Sequence, residues 1–436
     1  MVAVPTPAAA LVQLRATLGD QPDRSPDEAP PFGLPGEHFA AALLWLALGA
    51  VGLLAVAPGL AAGVFLTPQV IAVTHSFTLG WITTSVFGAL YQLSPVVLGV
   101  PARSLPAAHA TFWVLQGGIV TLVAGTWWWR PPLMAAGWVA LLLAVAGFAW
   151  NVLPGLGRAP RGRHVGRYVL AGQLALGLAL ALVAARIGSA LGWWPLDRLG
   201  FLAAHAHLAA AGFATLTAIG VGSHLLPMFL LSHGHPEWPL RWVGPVMGTG
   251  LVAFVVGELL HVGPLITTGG MLMAAGVALH LYQGAEYLHH RTRRRLDPGL
   301  AHVAGAFGYL LLATALGMGL LTAPEAPPRL VVAYGVAGLL GWLALLIVGV
   351  YHKILPFLTW LHRFGDRVGQ PGVPRVADLT SVPAAWTTFG LLAGGVAVLL
   401  AGVTFGDGVV ARAGAAAFAG GTALLLGQVL YLAVRR

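Results

Sequence analysis

Apolar residues run along this chain in twelve long blocks, separated by short stretches rich in Pro, Gly or charge. The blocks fall at about 38–57, 68–99, 107–128, 131–153, 168–188, 199–232, 242–262, 264–288, 300–321, 328–360, 383–404 and 411–434. A helix rises 1.5 Å per residue, so about 20 apolar residues cross the hydrocarbon layer of a bilayer. The pattern therefore predicts an all-α fold, a polytopic membrane bundle of 12 transmembrane helices. Residues 1–37 are polar, Pro-rich and of mixed charge. They lack the basic-then-apolar order of a signal peptide and are expected to form a disordered cytoplasmic tail. Residues 38–436 are expected to form a single transmembrane domain.

The second, sixth and tenth blocks share a skeleton. Gly80, Gly88 and Pro95 recur as Gly212, Gly220 and Pro227, and again as Gly341, Gly349 and Pro356, at offsets 0, 8 and 15. The copies are 132 and 129 residues apart. This predicts three quasi-equivalent four-helix units, at about 38–153, 168–288 and 300–434, each with its long helix second. Helices this long must tilt or protrude. The prolines fall near one end, where a kink is tolerated. His75 and His207 each stand five residues before the first Gly of their copy, and Val336 stands there in the third. Gln92, His224 and His352 stand near the other end of the three helices.

Composition narrows the class. A chain that is 58% hydrophobic and 8% charged cannot hide its apolar surface from water, which excludes a soluble protein. The absence of cysteine excludes disulfides, thiolate ligands and iron–sulfur clusters and leaves histidine as the main soft ligand. The net charge of +9 comes from arginine, Lys353 being the only lysine. On such a chain it points to anionic lipid and topology, with no nucleic-acid partner. Of the 22 arginines, 17 lie on the N-terminus, the even-numbered loops and the C-terminus, and 5 on the opposite side. The positive-inside rule then predicts both termini cytoplasmic, in a bacterial-type inner (plasma) membrane. The three long helices run from outside to inside. His75 and His207 lie in their outer thirds, and Gln92, His224 and His352 lie roughly 25 Å deeper.

A histidine inside a membrane helix is costly, and by default functional. Two at equivalent positions suggest a shared ligand, and facing imidazoles in a Gly-rich bundle suit a bis-histidine haem iron. His205 is two positions from His207, about 200° around the helix, so His205 is expected to serve a second site. Glu258 and His261 share a face of the seventh helix. They are either solvated at the interface or, with His205, part of a second metal or proton-accepting site. Gln92, His224 and His352 either converge as a His-His-Gln cluster or bond carbonyls freed by the prolines; the neighbouring Lys353 argues against a metal there. His280, Gln283 and Glu286 read as a polar seam along the eighth helix. The tryptophans at 127–129, 193–194 and 238 read as interfacial belts. There is no phosphate loop, dinucleotide fingerprint, covalent haem motif or catalytic triad in the sequence.

The stretch HSFTLGWITTSVFGALYQLSPVVLGVPARSLPAAHATFWVL (75–115) resembles helices 2 and 3 of the catalytic subunit I of haem–copper oxidases and nitric oxide reductases. The match is carried by His75, Gly88, Pro95, Gly99 and Phe112-Trp113. His205-x-His207, with Pro227 twenty residues after the second His, is similar to that family's helix 10, although here it lies on the sixth helix. The resemblance implies a fold of twelve helices in three arcs. It implies haem b, with His75 and His207 as axial ligands of a low-spin haem and His205 on a second haem, copper or non-haem iron. The family's copper-binding histidines are not in place. His235-Pro236-Glu237-Trp238 and His289-His290 are similar to two of its motifs but fall in loops or at helix ends. The nearest implied relatives are divergent members, such as haem-containing membrane proteins of the nitric oxide response.

Two functional readings follow. The first is a redox protein or oxidoreductase acting by electron transfer or on O2 or NO, with quinol or a separate cytochrome or cupredoxin as donor. The second is a membrane transporter or accessory protein that handles copper, haem or protons without redox catalysis.

Overall fold

The computed structural model describes residues 32–156, 162–293, 295–323 and 325–434. Most of the expected N-terminal tail, residues 1–31, lies outside the described residues. Twelve helices are long and apolar enough to cross a membrane. They are α1 Gly33–Ala61, α2 Pro68–Leu98, α3 Leu105–Trp127, α4 Pro131–Leu156, α5 Arg163–Ser189, α6 Arg198–Leu230, α7 Trp238–Leu260, α8 Gly263–His289, α9 Pro298–Thr322, α10 Pro328–Arg367, α11 Val382–Phe405 and α12 Gly408–Val434. No strand occurs among the described residues; one isolated bridge pairs Ser232 with Arg291. The chain is a helical membrane protein, as its hydrophobic pattern predicts.

Helix ends follow local chemistry. The Thr67, Ser104, Asp197, Asp297 and Ser381 side chains accept from backbone N–H groups of the first turns of α2, α3, α6, α9 and α11, satisfying donors that the helix cannot. Two boundaries differ from the hydrophobic blocks. Helix α1 begins at Gly33, so residues 33–37, Glu37 among them, are helical. Helix α10 continues to Arg367, because His362 and Arg363 in its last full turn complement the negative helix end.

Consecutive helices pack as hairpins, with α3 on α4, α7 on α8 and α11 on α12, and α12 closes back onto α1. The three long helices, α2, α6 and α10, are the most buried of the twelve. Each contains a widened π-helical stretch, Ser76–Thr83, Leu208–Thr215 and Ala337–Ala344. All three stretches begin four residues before the first Gly of their copy. They touch one another pairwise, so the long helices meet at these points. In α2 the widened turn is held by Thr83 and Thr84, whose hydroxyls donate five residues back to the carbonyls of Thr78 and Leu79.

The repeated glycines explain the packing. A Cβ on Gly80 would lie 2.4 Å from Trp45, one on Gly212 2.5 Å from Ala175, and one on Gly341 2.5 Å from Tyr309. A Cβ on Gly88 would lie 2.5 Å from His38, one on Gly220 2.4 Å from Tyr168, and one on Gly349 3.0 Å from His302. These partners are themselves seven residues apart on α1, α5 and α9. Two glycines per long helix thus seat it against the preceding helix twice, at the same spacing each time. Small residues allow such backbone approach where lipid provides no hydrophobic drive between helices.

Candidate functional site

The N-terminal halves of α2, α6 and α10 carry the main constellation. His75 is the last residue before the widened turn of α2. Its Nδ1 lies 2.8 Å from the Ile71 carbonyl oxygen. A carbonyl only accepts, so Nδ1 carries the proton and Nε2 the lone pair. His205 is fixed in the same way from another helix, with Nδ1 3.1 Å from the Ala179 carbonyl on α5. Phe201 stacks on its ring at 5.5 Å. The His75 and His205 ring centroids are 6.5 Å apart, with 38° between the planes. The two imidazoles stand side by side on different helices, each oriented by a carbonyl.

His207 does not join them. Its Nδ1 donates to the Ala203 carbonyl at 2.8 Å, and its Nε2 accepts from the Tyr334 hydroxyl on α10 at 2.9 Å. Phe254 of α7 covers the ring at 4.4 Å. In the structure the ring beside His75 is that of His205, while His207 is bonded to Tyr334. The reason is geometric: α6 touches both α2 and α10, and residues two apart on it point about 200° apart. One imidazole faces α2 and the other faces α10. Equivalent positions of repeated helices around a centre look the same way round the ring, not at each other.

Glu258 and His261 lie at the C-terminal end of α7, one to two turns beyond Phe254. His261 is exposed and caps the helix in a left-handed conformation, φ 56°. The start of α6 abuts them, since a Cβ on Gly200 would lie 2.7 Å from the Glu258 carbonyl. Asp197, the N-cap of α6, completes a cluster with these two. Its carboxyl is held below the usual range by the hydrogen bond from the Gly200 N–H and by the charge of His261. His205 bonds to α5 and is not in this cluster. Among the described residues, no group of three or more His, Cys, Asp or Glu is arranged to hold a metal ion.

Gln92, His224 and His352, in the C-terminal parts of α2, α6 and α10, occupy three different surroundings. His224 lines a small apolar cavity with Leu90, Ser94 and Val165. The Gln92 Oε1 is buried with no hydrogen-bond partner. His352 stacks on His302, centroids 4.9 Å apart, and Lys353 beside it pairs with Asp297. Of the two alternatives, bonding to a carbonyl is seen for His352, whose Nδ1 lies 2.9 Å from the Val348 carbonyl oxygen. Gln92 and His224 follow the first Gly of their copies by twelve residues and His352 by eleven, a helical rotation of about 100°. On α8, His280 packs edge-on near Trp342 at 5.9 Å, and the Gln283 amide donates to the Pro236 carbonyl at 3.0 Å. Glu286 lies 3.5 Å from His290.

Two partners were not legible in advance. Tyr334 stands seven residues before Gly341, the position that His205 holds before Gly212; lining up the copies on their glycines would have marked it. His302 lies on α9, outside the repeated helix, and only its packing against Gly349 reveals it. A comparison with protein-family models finds no match, and neither does a search of curated proteins.

Proposed function

We propose that this chain is a haem-binding integral membrane protein in which His75 and His205 hold the iron of a b-type haem between α2 and α6. The observation that carries the reading is the His75–His205 pair. Metal–nitrogen bonds of about 2 Å, with about 1 Å more from nitrogen to ring centre on each side, require centroids roughly 6 Å apart; the pair stands at 6.5 Å. Both Nδ1 atoms are engaged by carbonyls, which leaves Nε2 as the donor and fixes the ring orientation, as second-shell bonds do for metal-bound histidines. The resemblance of the 75–115 stretch to haem–copper oxidase subunit I supports the same reading. A haem bound there would supply one-electron redox chemistry. The roles of the chain are to orient two axial donors, to exclude water with Phe201, and to keep His207 on a separate partner, Tyr334.

The three-unit organisation belongs to this proposal. The recurrent glycine seats and widened turns support it. In this frame the residue five before Gly in one copy faces the residue seven before Gly in the next: His75 with His205, and His207 with Tyr334. The corresponding residues for the remaining junction, Val336 and Val73, are aliphatic. Chemistry is thus assigned to two junctions and structure to the third. Both termini are assigned to the cytoplasmic side, and electron transfer or O2 or NO chemistry is the assigned activity.

The test is the reduced-minus-oxidised spectrum of the detergent-purified chain, with a pyridine haemochrome count. A sharp low-spin signal should be present, lost in both His75→Ala and His205→Ala and retained in His207→Ala. Loss in His75→Ala and His207→Ala with retention in His205→Ala would restore the pairing implied by the oxidase resemblance. A protein without haem bands would end the haem reading and favour transport of metal or protons.

A further inference from the structure

The haem reading leaves the pair of buried His302 and half-buried His352 without a role. Gly299 and Gly349 bring α9 and α10 into backbone contact: a Cβ on Gly299 would lie 2.9 Å from the Gly349 carbonyl oxygen, and one on Gly349 2.7 Å from that of Gly299. This approach stacks the two imidazoles, with centroids 4.9 Å apart and 24° between planes. His302 Nδ1 lies 2.7 Å from the Pro298 carbonyl, and His352 Nδ1 2.9 Å from the Val348 carbonyl. Both Nδ1 atoms therefore carry protons, and both Nε2 atoms carry lone pairs. Each Nε2 is buried and has no hydrogen-bond partner. Two adjacent acceptors with no donor are an arrangement that native interiors rarely leave unexplained.

The surroundings say what such a site would take. Asp297 and Lys353 form an ion pair at the start of α9, next to His352 in sequence, and both are partly open to solvent. Arg293 also pairs with Asp297, at 2.8 Å. On the other side α11 presents an uncharged Phe389, 5.2 Å from the His302 ring. A metal would meet the adjacent Lys353 cation, and among the described residues no group of three acidic or imidazole ligands includes the pair. A proton needs only one lone pair to bind and leaves the other imidazole as an acceptor beside it.

We propose that His302 and His352 form a single proton-binding site inside the membrane, loaded from the α9 N-terminal face past Asp297 and Lys353. The proton adds to one Nε2, water at that face supplies it, and the neighbouring imidazole and the Asp297 carboxylate share the charge. The site is independent of the haem pair, which lies on α2 and α6.

The test is imidazole ¹⁵N NMR on the full chain, labelled with ¹⁵N-histidine and inserted in phosphatidylcholine vesicles, from pH 4 to 9. The stacked pair is recognised in the wild type by its mutual through-space correlation, so assignment does not depend on a variant that folds. The expected result is one imidazolium per pair at the acid end, and a lower midpoint for the remaining imidazole in His302→Gln or His352→Gln. Asp297→Asn should lower the pair's midpoint in the same direction. Exposed His261 and His289 serve as internal controls. A pair that stays neutral while these controls titrate, or whose two rings each charge independently, overturns the proposal. An unchanged midpoint in Asp297→Asn overturns the entry past that carboxylate.

Discussion

At the scale of the residue, histidine placement decides this protein, and a single register step decides histidine placement. His205 and His207 differ by two positions, yet one meets α2 and the other α10. Asp297 shows the same sensitivity in another role. It caps α9 through the Leu300 N–H at 3.1 Å, and also holds Lys353 and Arg293. Burial pushes its carboxyl up, but the Lys353 hydrogen bond and charge, the Leu300 N–H and the Arg293 charge together hold it below the ordinary value of 3.8. A depressed carboxyl stabilises the fold above its unfolded value, and that contribution is lost as pH falls through the lower folded value. The melting temperature in detergent should therefore drop on acidification below about pH 4. Asp297→Asn should melt lower than wild type at pH 7 and show a flatter acid limb. Equal acid limbs in the two proteins would remove Asp297 from that role.

At the scale of the element, the repeated helix is defined by its glycines as much as by its ligands. Gly80 has Trp45 where a Cβ would sit, at 2.4 Å, whereas nothing lies within 4 Å of a Cβ on Gly117. Gly80→Ala should therefore destabilise by about 1–3 kcal/mol, the usual cost of overpacking, while Gly117→Ala should be neutral or slightly stabilising because it favours helix. Thermal melts of the two variants in one detergent make the comparison. If both shift equally, the close seat of α2 on α1 is not what the repeat is for. The widened turns are the second element-scale feature. They follow His75, His207 and Val336 directly, and such turns inside helices frequently accompany functional positions. Their geometry, held in α2 by Thr83 and Thr84, was not readable from hydrophobicity, which runs unbroken through them.

At the scale of the molecule, the three long helices form the buried centre and are tied by side chains across copies. The Trp342 indole donates to Thr215 Oγ1 at 3.0 Å, and Ser85 and Tyr351 share a hydrogen bond of 2.8 Å. The sidedness assigned from arginine placement is directly testable, because the chain has no cysteine. Single cysteines at Thr292, in the loop after α8, and at Trp193, in the loop after α5, should label from opposite sides of sealed vesicles, Thr292 from the side of most arginines. Labelling of both from the same side would contradict the alternation of twelve spans.

The amino-acid sequence by itself determined the membrane class, the twelve helices, the three long ones and the depth of their histidines. These depend on run length, residue type and spacing along one chain, which local physics fixes. Pairing depends on rotation about helix axes and on which neighbour each face meets. Only the tertiary structure decided that His75 meets His205, that Tyr334 takes His207, that Asp197 stands with Glu258 and His261, and that His352 stacks on His302. An offset of one residue turns a helical side chain by about 100°. A repeat aligned by eye therefore finds the right layer of the bundle and still misses the partner, which is set by the close glycine contacts that lock each helix in place.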